Sequence, residues 1–119
     1  MTMHMREVAV DPVATDAYAR LFHALSDPSR LAILQHLAGG EHRVRDLVSH
    51  LGFAQSTVSA HLRCLLECGL VTVRPEGRAS WYALADSEDL AGLLLAAEHL
   101  LDATGAQVRL CRQLMGEAG

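Results

Sequence analysis

A mainly α fold is what this chain predicts, and three observations carry the prediction. Apolar residues recur three and four apart in five separate segments. Short breaks containing glycine or proline divide those segments. Only residues 70–84 switch to β-branched and aromatic residues on either side of a turn. At 119 residues, half of them apolar, the chain is sized for one domain with one core. Such a domain is marginal alone, and a second copy would bury more surface.

The elements follow in order. Residues 1–12 show no period and read as a flexible N-terminal arm, leaving 13–119 as the folded domain. From Ala14 to Leu25, a first helix carries Tyr18, Leu21, Phe22 and Leu25 at helical spacing. Asp27 is placed to cap the next helix, and Pro28 suits its first position because it has no N–H to leave unpaired. That helix turns Leu31, Ile33, Leu34 and Leu37 inward and stops at Gly39-Gly40. A third runs from Val44 to Leu51, Gly52 breaks it, and a fourth begins near Gln55. Two helices joined by so short a glycine-containing turn form a helix-turn-helix.

After Gly69, Leu70–Arg74 and Ala79–Leu84 read as strands joined by Pro75-Glu-Gly-Arg78. A hairpin directly after the fourth helix makes the predicted fold a winged helix-turn-helix, α-α-α-α-β-β-α. A final helix starts near Ser87 with Leu90, Leu93, Leu94, Ala97, Leu100 and Leu101 in one stripe, suited to a homodimer interface. Gly105 interrupts it, and Val108, Cys111 and Leu114 resume an apolar spacing beyond.

Charge narrows the function classes. The net charge is −4, yet residues 43–80 carry five arginines (Arg43, Arg45, Arg63, Arg74, Arg78) against three acids. Both flanking thirds are net acidic, and no lysine occurs anywhere. The cations thus concentrate on the helix-turn-helix and wing, as guanidinium groups suited to planar phosphate and guanine contacts. A recognition helix inserts its N-terminal part among base edges in the major groove. Gln55, Ser56, Thr57, Ser59, His61 and Arg63 are the candidate DNA-binding residues on it, with Arg45 near phosphates and Arg74 and Arg78 on the wing. Gln55 can pair bidentately with adenine, and hydroxyls suit bases or phosphates. The expected partner is double-stranded operator DNA, bound by a homodimer across two half-sites. No run approaches the roughly 18 apolar residues of a membrane span, and no basic-then-apolar leader opens the chain, so the expected location is cytoplasmic with no membrane partner. There is no glycine-rich phosphate loop, nucleophile elbow or His-Glu-x-x-His, and the chain does not read as an enzyme. A winged helix serving only protein interaction is a further alternative.

Cys64 and Cys68 stand four apart in the fourth helix, so both sulfurs lie on one face, one turn apart. Helical angles set them on a stripe beside His61, away from the arc centred on Val58, Leu62, Leu65 and Leu66. Two readings fit this position. Unligated cysteine is a common packing residue, and paired thiolates grip soft metals or respond to oxidants.

Four segments in this order, Ala24-Leu-Ser-Asp-Pro-Ser-Arg-Leu-Ala-Ile-Leu34, Gln55-Ser-Thr-Val-Ser-Ala-His-Leu62 with Gly69-Leu-Val71, Glu76-Gly-Arg78 and Tyr82-Ala-Leu84, resemble the ArsR/SmtB family of metal-responsive winged-helix repressors. The resemblance spans residues 17–102. The run His61–Val71, the segment Tyr82–Ser87 and a third cysteine in the tail are similar to the cadmium/lead-sensing members. The cysteine pair that arsenic- and cadmium-sensing relatives carry before the turn is absent, the stretch here reading Val44-Arg-Asp-Leu47. The resemblance implies a repressor that leaves its operator when cadmium or lead binds Cys64, Cys68 and Cys111, with no organic cofactor. Arsenite would also accept three thiolates, and a redox or sulfur-species trigger would use the same residues. A zinc-responsive variant would instead use Asp86, Glu88, His99 and Asp102, where zinc-sensing members bind across paired C-terminal helices. Of the remaining histidines, His4 lies in the arm, while His23, His36, His42 and His50 read as scattered and at or near the surface.

Overall fold

The computed structural model describes residues 9–85, 87–106, 108–110 and 114. Its elements are α1 (Pro12–Leu25), α2 (Pro28–Leu37), α3 (Val44–Leu51), α4 (Gln55–Glu67), β1 (Val71–Glu76), β2 (Ala79–Leu84) and α5 (Ser87–Ala103). This is the predicted winged helix-turn-helix. Helix α1 starts at Pro12, two residues before the apolar spacing begins, because cap chemistry sets its end. Asp11 Oδ1 accepts from the amides of Val13 and Ala14 at 2.9 and 3.2 Å, and Pro12 takes the first turn. The same device opens α2, where Asp27 Oδ1 accepts from Ser29 and Arg30 at 2.7 and 3.2 Å.

At α3 the Asp46 carboxylate reaches back to the Arg43 amide at 2.9 Å and binds the Arg43 guanidinium through both oxygens, at 2.9 and 3.0 Å. Those bonds hold Asp46 well below the usual carboxylate range. Gly52, at φ +75°, closes α3 in the left-handed region. Helix α4 ends in a Schellman turn. Gly69, at φ +74°, lets its own amide donate to Leu66 and the Leu70 amide donate to Leu65 at 2.9 Å.

The wing departs from the expected turn. Strand β1 runs on through Pro75 and Glu76, and Gly77-Arg78 alone makes the bend, with Glu76 opposite Ala79. Gly77, at φ +62°, allows the two-residue connection. Pro75 survives in the strand because β1 is an edge. The other edge of β2 is occupied: His42 and Tyr82 exchange amide-to-carbonyl bonds of 2.9 and 2.8 Å. The loop before α3 is thereby tied to the root of the wing.

The core comprises Ala24, Ile33, Leu34, Leu37, Leu47, Val58, Leu62, Leu65, Val71, Leu90, Leu94 and Leu114. Arg30 is buried among these residues. Its Nε donates to the Ala24 carbonyl at 2.7 Å, one terminal nitrogen to the His23 carbonyl at 2.9 Å, and the other to His61 Nδ1 at 3.2 Å. One guanidinium therefore closes the carbonyl end of α1, which lacks intrahelical donors, and joins it to α2 and α4.

Outside the core, Val13, Tyr18 and Phe22 of α1 and Leu95, Leu100 and Leu101 of α5 stay exposed. Between the two helices lies an apolar groove of about 370 Å³ bordered by Phe22, Leu25, Leu93, Ala97 and Leu101. No helix among the described residues is long and apolar enough to cross a membrane.

Two expectations follow. Arg30→Met should cost at least roughly 1.5–3 kcal/mol in urea denaturation, the worth of one hydrogen bond from a charged donor, since three are lost. The exposed Arg45→Gln should stay within about 0.5 kcal/mol of the parent. Because Asp46 titrates lower when folded than unfolded, the stability it contributes is fully present above about pH 4 and is lost as pH falls further toward its folded value. Asp46→Asn should flatten that acid limb in a pH series of unfolding curves.

Candidate nucleic-acid interface and thiol pair

Helix α4 begins without a side-chain cap, since Ala54 offers no acceptor. The amides of its first turn therefore point outward, at the positive end of the helix dipole, beside the exposed Gln55, Ser56 and Thr57. Between α3, this turn and the wing lies an open concavity of about 680 Å³ whose rim includes Arg43, Arg45, Gln55, Arg78, Ser80 and Tyr82. Arg45 on α3, Arg63 on α4 and Arg78 at the wing tip are exposed. The surface is concave, cationic and studded with hydrogen-bonding groups, which is the chemistry a phosphate backbone and groove edge require.

Three expected DNA residues sit differently from the sequence reading. His61 is turned inward, its Nδ1 accepting from Arg30 and its Nε2 lying 3.9 Å from Asp27. It faces that way because a buried guanidinium needs an acceptor there. Arg74 is engaged by two acids, bonding Glu41 through two nitrogens and Glu76 at 3.2 Å. Ser59 is half-buried. The fold also brings Arg43 to the rim of the concavity, its guanidinium bound by Asp46 and its central carbon 4.8 Å from the Trp81 ring centre. From sequence alone Arg43 stands out only as one of five arginines in residues 43–80. Its spacing of three ahead of Asp46 was the available signal.

Cys64 and Cys68 are both half-buried, packed against the edge of the core. Cys68 caps the end of α4, and its thiol donates to the Arg20 carbonyl of α1 at 3.6 Å. Burial pushes the Cys68 thiol up, and the neighbouring Cys64 and Glu67 add to the effect against a weaker opposing pull from Arg30. The pair thus lies at the seam between the recognition helix and α1, away from the concavity. Cys111 and Asp86 fall outside the described residues. Asp102 and Glu98 both lie 3.6 Å from Arg109. Among the described residues, no third donor joins His99 and Asp102. Three histidines read as scattered, His36, His42 and His50, converge instead.

Comparison with known proteins agrees with this architecture. The model of the family described as "Bacterial regulatory protein, arsR family" matches residues 27–73, from the cap of α2 into the wing. A Streptomyces lividans protein named "Probable mercury resistance operon repressor" is 38% identical over 86% of this chain and 81% of its own length. The HTH-type transcriptional regulator CmtR of Mycobacterium tuberculosis is 47% identical over 73% of this chain and 67% of its own. Among solved structures, the homodimeric winged helix-turn-helix DNA-binding domain of Mb0332 from Mycobacterium bovis superposes with a TM-score of 0.66 at 35% identity, covering 82% of this chain and 91% of that one. Shared sequence over most of both chains, on a shared fold, makes this chain a member of the ArsR family, a DNA-binding transcriptional regulator and not an enzyme.

Proposed function

We propose that the chain is a homodimeric, metal-responsive repressor that holds operator DNA when metal-free and releases it when cadmium or lead binds Cys64 and Cys68 together with Cys111. The observation that carries this reading is the position of the thiol pair. Both sulfurs ride on the helix whose opposite end faces the DNA concavity, and one of them is bonded to α1. The donor set fits a soft cation, being two half-buried sulfurs one turn apart. The names of relatives agree in kind, with mercury, arsenical and SmtB-type repressors among them.

The coupling follows from what Cys68 does. As a thiol it donates to the Arg20 carbonyl and so pins the end of α4 to α1. A bound thiophilic ion would supply the positive charge that lets both cysteines shed their protons. Once deprotonated, Cys68 has no hydrogen to donate, and that hydrogen bond between α4 and α1 is lost. The exposed apolar faces of α1 and α5 are where a second copy would dock. A change at the α4–α1 seam therefore reaches the spacing of two recognition helices. Operator and ion must then weaken one another by the same factor, about 150-fold for a coupling of 3 kcal/mol.

Fluorescence anisotropy on operator DNA, titrated with cadmium, lead, mercury(II), arsenite and zinc, tests the reading. Cadmium and lead should weaken binding on the order of 100-fold, the scale of such couplings. Cys64→Ser with Cys68→Ser should keep the metal-free affinity and abolish the response; a retained response refutes the assignment. Protons compete at Cys68, so cadmium sensitivity should fall as pH drops.

The DNA face has its own test. Arg45→Gln and Arg78→Gln should each weaken binding to all sequences and reduce the salt slope by about 1. Arg74→Gln should change it less, because its guanidinium is already shared between Glu41 and Glu76.

A further inference from the structure

His36 ends α2, His42 lies in the loop that follows, and His50 ends α3. Folding brings one ligating nitrogen from each to within 4.8 Å of the others. The ring centres are 4.6, 4.9 and 5.7 Å apart. Among the described residues, this is the one set of three histidine, cysteine or carboxylate side chains that converges in this way.

Three details make the cluster more than a stack of rings. His42 Nδ1 lies 2.8 Å from the Gly40 carbonyl, so it carries the proton and donates. Its Nε2 is left as a lone-pair donor in a fixed orientation, the outer bond that metal-ligating histidines commonly make. The backbone of His42 is itself clamped to Tyr82 of the wing. Finally, His36 Nε2 and His50 Nδ1 sit 2.8 Å apart, sharing a proton that a cation would displace.

We propose that His36, His42 and His50 form a binding site for a borderline divalent cation such as zinc, separate from the thiol pair. Metal–nitrogen bonds of about 2.0–2.1 Å in a tetrahedron put ligand atoms roughly 3.3–3.4 Å apart. Reaching that spacing asks the 2.8 Å pair to open slightly and the wider separations to close by about 1 Å or a little more, a range side-chain torsions supply. Three imidazoles without sulfur suit zinc, nickel, cobalt or copper; magnesium and calcium prefer oxygen, and thiophilic ions prefer the cysteines. Half-exposure of the cluster gives an ion a way in and leaves the fourth position to water. The ion would fasten α2, the loop and α3 together, that loop leading directly into Arg43 at the start of α3.

Zinc is the probe, measured by calorimetry on the full chain carrying Cys64→Ser, Cys68→Ser and Cys111→Ser, so that no thiolate contributes. One zinc per chain should bind and raise the melting temperature. Adding His36→Gln or the exposed His50→Gln should weaken zinc at least tenfold. Cobalt on the same triple-serine chain supplies a second readout, since a histidine-only site gives visible absorption without thiolate charge transfer. That absorption should vanish with His50→Gln, while the same substitution in the parent chain should leave cadmium-driven release from operator intact. Zinc binding that is absent, or equally tight after both histidine substitutions, overturns the proposal.

Discussion

One buried guanidinium organises this domain. Arg30 is surrounded by core residues, yet it is satisfied by two carbonyls from the end of α1 and by the ring of His61 on α4. Burying a cation is costly unless acceptors in good geometry hold it, and here three do. The positions of three helices are therefore linked: α1 must end where its carbonyls meet α2, and α4 must pass where its histidine meets both. The recognition helix is held by this polar hub at its middle and by Val58, Leu62 and Leu65 along its core face.

The proposed DNA face and the thiols occupy different parts of the same helix. Its first turn, at the front, borders the concavity rimmed by Arg43, Arg45 and Arg78. Its last turn, at the back, carries Cys68 against α1. A rigid helix transmits a shift at one end to the other, and α4 is packed on its whole inward side. The histidine cluster addresses α3 instead, through the loop tied to β2. The helix-turn-helix thus has two places where bound ions would act, one sulfur-rich and one nitrogen-rich, on different helices of the motif.

Much of this was legible in the residues. Asp27-Pro28 announced α2, Gly52 and Gly69 marked the ends of α3 and α4, and the β-branched run after Gly69 marked the wing. Those signals are local, governed by capping and by backbone freedom, and they survive folding unchanged. What escaped was set by partners distant in sequence. His61 falls on a polar stripe of α4, but Arg30, thirty-one positions earlier, claims it. Arg74 looked available until the fold placed Glu41 beside it. His36, His42 and His50 have no helical register in common, so only the packing of α2 against α3 could reveal them as neighbours. The start of α1 was missed for a different reason: Asp11 and Pro12 act by capping, and the apolar period that guided the reading begins later.

The bare beginning of α4 has a consequence for how this domain divides its loyalties. A serine or aspartate in place of Ala54 would answer the first-turn amides from within and firm up the helix by about 1 kcal/mol. The same change would fill with its own oxygen the place that those amides leave open to an outside acceptor. On the proposed reading, a sturdier free regulator would thus be a poorer guest on the double helix, since alanine leaves those amides open to an outside acceptor.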